Sequence, residues 1–276
     1  MERKRLTQRF PWLWPLRKWQ KCFCFYLKMK LDGCKYATAQ NTHLLPVVLF
    51  TSACPLYNRE TGFPMVYQEN KAFNLKLAAQ KLDGLILRPG ESFSFWNCVK
   101  HADRHTRYKE GLAEINGVLT TQYGGGLCQM SNLLCWLFLR TPLTLTERHG
   151  HREKDFPEPP SDAPLGVDAA VSEGWLDLRV RNDTQLTLQI CIDFDEKHII
   201  GTIRANRDPG RRWQVVNQNL TYVQMPEGIF EEVDVVQQAR DVKTEGLLAE
   251  HVAYRNRCRI GYPLPEGTKI EKGTQK

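Results

Sequence analysis

Long apolar runs are missing from this sequence of 276 residues. The best of them, LLPVVLF (44–50) and LLCWLFL (133–139), fall well short of the roughly 18–20 residues a helix needs to cross a bilayer. No membrane-crossing helix is therefore expected. The N-terminal segment does not read as a secretory leader: it has no clean apolar core of about 7–15 residues and no small-residue cleavage site, so none is expected. No Cys-x-x-Cys pair occurs among the nine cysteines, an odd number at irregular spacings, which argues against a structural zinc site. Most of these cysteines sit among apolar neighbours, as small buried hydrophobes do. The expectation is a reduced, cytoplasmic protein. There is no internal repeat, no low-complexity tract and no cofactor motif.

Acidic residues are scarce at the N-terminus. MERKRLTQRFPWLWPLRKWQKCFCFYLKMK carries Glu2 against Arg3, Lys4, Arg5, Arg9, Arg17, Lys18, Lys21, Lys28 and Lys30, so the surplus behind the net charge of +7 is concentrated there. That surplus is below what a dedicated nucleic-acid binder shows, and no nucleic-acid partner is expected. The same segment holds Phe10, Trp12, Trp14, Trp19, Phe23, Phe25 and Tyr26. Rings and cations together suit a membrane–water interface, where the rings sit at headgroup depth and the cations meet anionic lipid. The other reading is a helix whose aromatics pack on the domain. Pro11 and Pro15 break the segment early, so a continuous helix is predicted from about Leu16.

The chain divides into this basic aromatic segment (1–31), a domain over 32–206, and a β-rich extension with a frayed tail (207–276). A strand candidate at 44–50 precedes an amphipathic helix over 70–84. Phe73, Leu77 and, from Leu75, Ala78, Ala79 and Leu82 form the helix's apolar side, and Gly84 ends it. LILRPGESFSFW (85–96) reads as a strand, a Pro89-Gly90 turn and a second strand carrying Phe93 and Phe95. Asn116-Gly117 marks another turn. A second helix follows the glycine run and closes at Thr141-Pro142. LTLTERHGH (143–151) alternates like a strand, and 152–166 is a proline-rich loop. From Val167 the pattern is β, at 168–171, 175–182, 186–195, 198–206 and 250–262. Helices first and a mostly antiparallel sheet after them predict an α+β fold, with N-terminal helices packed on the sheet.

The stretch YGGGLCQMSN (123–132) carries the chemistry. If the helix begins near Leu127, Cys128 lies in its first turn, where unpaired N–H groups and the helix dipole favour negative charge. Gly124, Gly125 and Gly126 can adopt positive φ and leave the approach to the thiol open. A nucleophilic cysteine needs a base and an orienting partner. His149 and His151 follow on the predicted strand, on one face by alternation, and Asp168 opens the next. Papain-like and transglutaminase-like enzymes use this order of Cys on a helix start, then His and Asp on strands. Two other readings stand beside it. Cys128, Asn132 and Cys135 share a helix face beside a leucine stripe, so the thiol could be packing. Cys128, His149 and His151 could also ligate zinc with one position open.

Five motifs in order carry a resemblance to a known family. They are NLKLAAQKLDG, PGESFSF (89–95), GGGLCQMS (124–131), ERHGH (147–151) and PLGVDAAV (164–171). Over this motif core, 70–171, the sequence resembles VanW-like proteins, the family named for an accessory protein of vancomycin resistance clusters. The resemblance implies a place in glycopeptide resistance and cell-envelope biology, and it prefers His151, which matches the family's histidine, over His149. The combined expectation is a Cys128–His151–Asp168 hydrolase or acyltransferase working through a thioester on a peptide or peptidoglycan-precursor amide. Gly124, Gly125, Gly126 and His149 would lie toward the substrate, and Gln129 would help bind the oxyanion. The competing class is a non-catalytic module that binds a cell-wall precursor or a resistance-pathway partner, with the polar segment 101–110 as its contact surface.

Overall fold

A computed structural model describes residues 10–115 and 118–273. The bases from Arg3 to Arg9, the Asn116-Gly117 turn and the end of the frayed tail lie outside the described residues. The architecture is α+β, with four α-helices and mostly antiparallel sheets among the described residues. The helices are α1 (Trp14–Leu31), α2 (Val66–Ala79), α3 (Phe95–Val99) and α4 (Cys128–Leu139).

The core forms around α4. Met130, Leu133, Leu134, Leu137 and Phe138 are buried, and so are Cys135, Trp136 and Leu139. A helix apolar on every side has to be covered on every side. One cover is the antiparallel sheet of strands Val47–Pro55, His198–Ala205, Leu188–Phe194 and Leu85–Leu87. Strand 198–205 alternates strictly, with Ile199, Gly201, Ile203 and Ala205 inward. Gly201 is where helix and sheet come closest: a Cβ there would stand 2.5 Å from Leu137 Cδ1. The other cover comes from the C-terminal ribbon of Arg211–Met225, Gly228–Asp241 and Leu247–Ile260, which buries Val233, Val235 and Val236.

A further small sheet joins Lys35–Tyr36, Glu91–Ser94, Arg179–Arg181 and Thr144–Glu147. Phe93 lies on its strand as expected. Phe95 instead opens α3, because Ser94 Oγ accepts from Asn97 N–H and caps the helix. Both rings are fully buried, so the apolar alternation was real although the second strand ends one residue earlier. The strand predicted over 143–151 stops at Glu147, and 168–171 is not a strand. Those two irregular segments hold the site together by side-chain bonds instead of a ladder.

The aromatics of α1 do not pack as a set on the domain. Cys22, Tyr26 and Met29 face inward, and Tyr26 Oη donates to Glu173 Oε1 at 2.8 Å. Leu16, Trp19, Phe23, Leu27 and Leu31 are exposed, at spacings that put them on one face.

Leu134 is fully buried. Leu134→Ala is expected to lower stability by about 3 kcal/mol, read from chemical denaturation followed by circular dichroism.

Candidate active site

The thiol is placed by a knot of close backbone approaches. Asn74, fully buried on α2, donates to Gly125 O at 3.0 Å and Lys109 O at 2.9 Å, and accepts from Lys109 N–H at 2.8 Å. Asn70, one turn earlier, donates to Glu110 O. These amides fix the glycine turn to α2. Gly124 and Gly126 have φ of 78° and 89°. Gly125 has no such φ, but a Cβ there would sit 2.2 Å from Gly111 O. The third glycine lets the Lys71 stem cross it, since a Cβ on Gly126 would meet Lys71 Cγ at 2.2 Å. Each glycine of the run therefore has its own steric reason.

Cys128 begins α4, and no acceptor for the N–H groups of Gly126, Leu127 or Cys128 occurs among the described residues. One turn on, two polar side chains hold the segment that carries the carboxylate. Ser131 Oγ donates to Ala169 O at 2.6 Å, and Asn132 Oδ1 accepts from Ala169 N–H at 2.8 Å. Asp168 is thereby held beside the helix. His151 N–H donates to Asp168 Oδ2 at 2.6 Å and its Nδ1 meets Oδ1 at 2.5 Å. The other side of the imidazole contacts the Cys128 side chain, and the thiol also points at Val171 O at 3.7 Å. Cys128, His151 and Asp168 are brought together in that order.

The charges are arranged to match. Asp168 is almost fully buried, which by itself would raise its pKa. His151 and Arg148 outweigh that and hold it below the ordinary carboxylate value. Burial would likewise lower His151, but Asp168 and then Cys128 hold it well above the usual value of about 6.5. The stable form is an imidazolium on a carboxylate. Arg148 supports it from behind: its Nε donates to Asp168 O at 2.5 Å, its other end to Asn256 Oδ1 at 2.6 Å, and its plane lies 4.0 Å from the Tyr254 ring. The site opens into a cavity of about 1070 Å³ lined by Gly124, Gly125, Gly126, Cys128, His151 and Asp168 among others. That is ample for a small molecule or a short peptide.

A family profile described as "VanW like protein" matches residues 70–204. The vancomycin B-type resistance protein VanW of Enterococcus faecalis is 51% identical over 275 residues, covering 100% of both chains. The chain belongs to the VanW family. The uncharacterized protein YoaR of Bacillus subtilis is 32% identical over 114 residues, 41% of this chain and 36% of YoaR. No solved structure matches.

The VanW motifs thus meet at one place. Asn74 of the first motif clamps the glycine turn. Ser131 of the third grips the Asp-Ala segment of the last, and the histidine of the fourth joins the thiol to the carboxylate. Two expected residues take other positions. The Gln129 side-chain amide donates to Pro55 O at 2.6 Å and to Cys54 Sγ at 3.5 Å. Its donors are spent tying α4 to the neighbouring strand and are not turned to an oxyanion. His149 does not share a face with His151, because the strand has ended before both. Its Nε2 meets Glu147 Oε1 at 3.0 Å, and it is outside the cavity lining. The zinc arrangement fails for the same reason, and no cluster of His, Cys, Asp and Glu suited to a metal occurs among the described residues. Sequence reasoning missed the role of Arg148, the arginine of the ERHGH motif, as a support for Asp168. It also missed Lys71, three residues before the first motif and lining the cavity.

The pair has a defined pH window. Asp168 has a lowered pKa, so its contribution to stability is present above the unfolded carboxylate value and is lost as pH falls through the folded one. His151 has a raised pKa, so its contribution is present below about 6.5 and is lost as pH rises through its folded value. Asp168→Asn removes the largest raising influence and leaves burial, so the His151 midpoint is expected to fall. Titration of the His151 ring by NMR checks this.

Proposed function

We propose that this VanW-family chain is a cysteine-dependent amide hydrolase or acyltransferase acting on a peptide or peptidoglycan-precursor amide. The supporting observation is the His151 ring, which spans from a buried carboxylate to a thiol at the first turn of α4, inside a large cavity. The Enterococcus faecalis relative is named a vancomycin B-type resistance protein. We carry that association over as the setting: resistance and the cell envelope.

In this reading the thiol proton rests on His151, opposite Asp168. The Cys128 thiolate attacks the amide carbonyl carbon, and the free N–H groups of Gly126, Leu127 and Cys128 are the donors available to the oxyanion. The C–N bond breaks, His151 gives its proton to the leaving amine, and a thioester remains. Water or a second amine then attacks the thioester and passes a proton to His151, and the thiolate leaves. Alkylation of Cys128 in the folded protein, followed against pH by peptide mass spectrometry, tests the reading. Selective reaction of Cys128 in the folded protein is expected, and it should slow in His151→Ala. A thiol that reacts only after unfolding would overturn it.

A second reading, a binding module without catalysis, has its own observation. His101, Asp103, Arg104, Arg107 and Tyr108, from the polar segment 101–110, line the same cavity. That reading requires Cys128→Ser to keep full biological function while changes in 101–110 abolish it. Complementation of a deletion strain with both variants separates the two.

The exposed face of α1 supports peripheral attachment to a membrane. Trp19 and Phe23 stack at 5.5 Å with over half their surface in water. Arg17, Lys18, Lys21, Lys28 and Lys30 supply positive charge, with no acidic residue between 14 and 31. An anionic cytoplasmic membrane surface matches both features, and a reducing cytoplasm would keep Cys128 a thiol. The protein is expected to co-sediment with phosphatidylglycerol-containing vesicles. Binding should weaken at least about tenfold in a Trp19→Ala, Phe23→Ala double variant. Equal binding by the variant would rule out this face.

A further inference from the structure

Lys71 stands one turn before Asn74 on α2, and its stem lies across Gly126, two residues before the thiol. It lines the cavity that holds Cys128. Among the described residues no hydrogen bond or ion pair engages its amine. The contrast with Lys154, another cation of the cavity wall, is direct: that ammonium is paired with Glu231 at 3.1 Å. Partly buried lysines without an anionic partner are uncommon, because taking the charge out of water is costly. Burial lowers the Lys71 amine to about 8, with the nearby Cys54 thiol opposing the shift. It is thus cationic at neutral pH and ready to gain from an anion.

The surroundings are equally unfinished. Gln129 Oε1 and Tyr108 Oη are buried, line the same cavity, and lack a hydrogen-bond partner among the described residues. Tyr108 lies directly against Gly124, whose Cβ position would be 3.4 Å from the ring. Polar atoms in this state cost stability unless something satisfies them. A hydroxyl donor, an amide acceptor and a lone ammonium in the cavity that holds Cys128 match a carboxylate with an adjacent N–H.

We propose that Lys71 is the anion-recognition residue of this site, and that the substrate is an amide bearing a carboxylate, the chemistry a peptide C-terminus presents. This rests on the cysteine reading given above. The carboxylate pairs with the Lys71 ammonium, and the substrate's reacting carbonyl is held at Cys128. Tyr108 Oη and Gln129 Oε1 take the neighbouring polar groups. No covalent step involves Lys71.

The test uses two matched pairs of thiol reagents on the full chain: iodoacetate with iodoacetamide, and 3-maleimidopropionate with N-ethylmaleimide. The rate at Cys128 is read by peptide mass spectrometry, which separates it from Cys54. The anionic-to-neutral rate ratio cancels any change in thiolate fraction. In wild type this ratio is expected to favour the anionic reagents at pH 7 and to fall as pH rises through about 8, where the ammonium is lost. In Lys71→Met it should drop about fivefold, and in Lys71→Arg it should be retained. A ratio that is the same in wild type and Lys71→Met, or a wild-type ratio flat from pH 7 to 9.5, overturns the proposal. The wild-type pH arm decides the matter even if both variants fail to fold. If no reagent modifies Cys128 in the folded protein, the cysteine reading itself fails, which is a distinct outcome.

Discussion

Burying a carboxylate away from water costs several kcal/mol unless every oxygen finds a donor and a positive charge stands nearby. Asp168 meets that demand completely. Both carboxylate oxygens are taken by His151, through its backbone N–H and its ring. Arg148 closes the other side and reaches on to Asn256 in the C-terminal ribbon. One buried charge thus ties together the end of strand 144–147, the segment 148–171 and the strand 247–260. Removing any of these groups would leave another buried and unpaired, so the site and the fold around it are stabilised by the same bonds.

Helix α4 supplies the other half of the frame. Its middle is apolar on all sides and is gripped between the sheet containing strand 198–205 and the C-terminal ribbon. Its first turn opens to the cavity at Cys128 and Gln129. A helix so firmly packed presents its N-terminus at a fixed place, and the glycine run lets the chain enter at a sharp angle past Gly111, Tyr108 and Lys71. Ser131 and Asn132 then transfer that rigidity to Ala169, one residue from the carboxylate. A Cys–His–Asp contact of this kind depends on positions held closely in place. Here they are held by side-chain bonds between a helix and an irregular segment, not by a strand ladder.

The cavity is electrically uneven. Near His151, Glu114 and Asp155 have raised pKa values, from burial first and then from acidic neighbours. Near Cys54 stands Lys71, without an ion-pair partner among the described residues, while Glu158 and Asp162 also act on Cys54. The family's glycines, asparagines and thiol are shared by both sides. The basic aromatic α1 is docked nearby, through Gly174 against Cys22, on the segment that follows Asp168. Its outward face and the cavity are therefore both anchored to the segment around 168–176.

Much of the frame is legible in the residue order. The helix at 128–139 follows from its apolar run, its Thr141-Pro142 stop and the glycines before it, and the α+β class follows from where the alternating stretches lie. Cys128, His151 and Asp168 could be picked out because the helix start favours a thiolate and because five family motifs select those positions. The partners of the polar side chains could not. Gln129 follows the thiol in sequence, yet helical rotation turns its amide to Pro55. His149 and His151 alternate in sequence, yet the strand ends at Glu147, and the buried carboxylate of Asp168 captures only the second. Lys71 and Arg148 look like ordinary surface cations until the chain folds. Periodicity and backbone freedom are local properties, and the sequence by itself determined the elements that depend on them. Which donor meets which acceptor across 20 to 100 residues is settled by packing, and only the tertiary structure decided it.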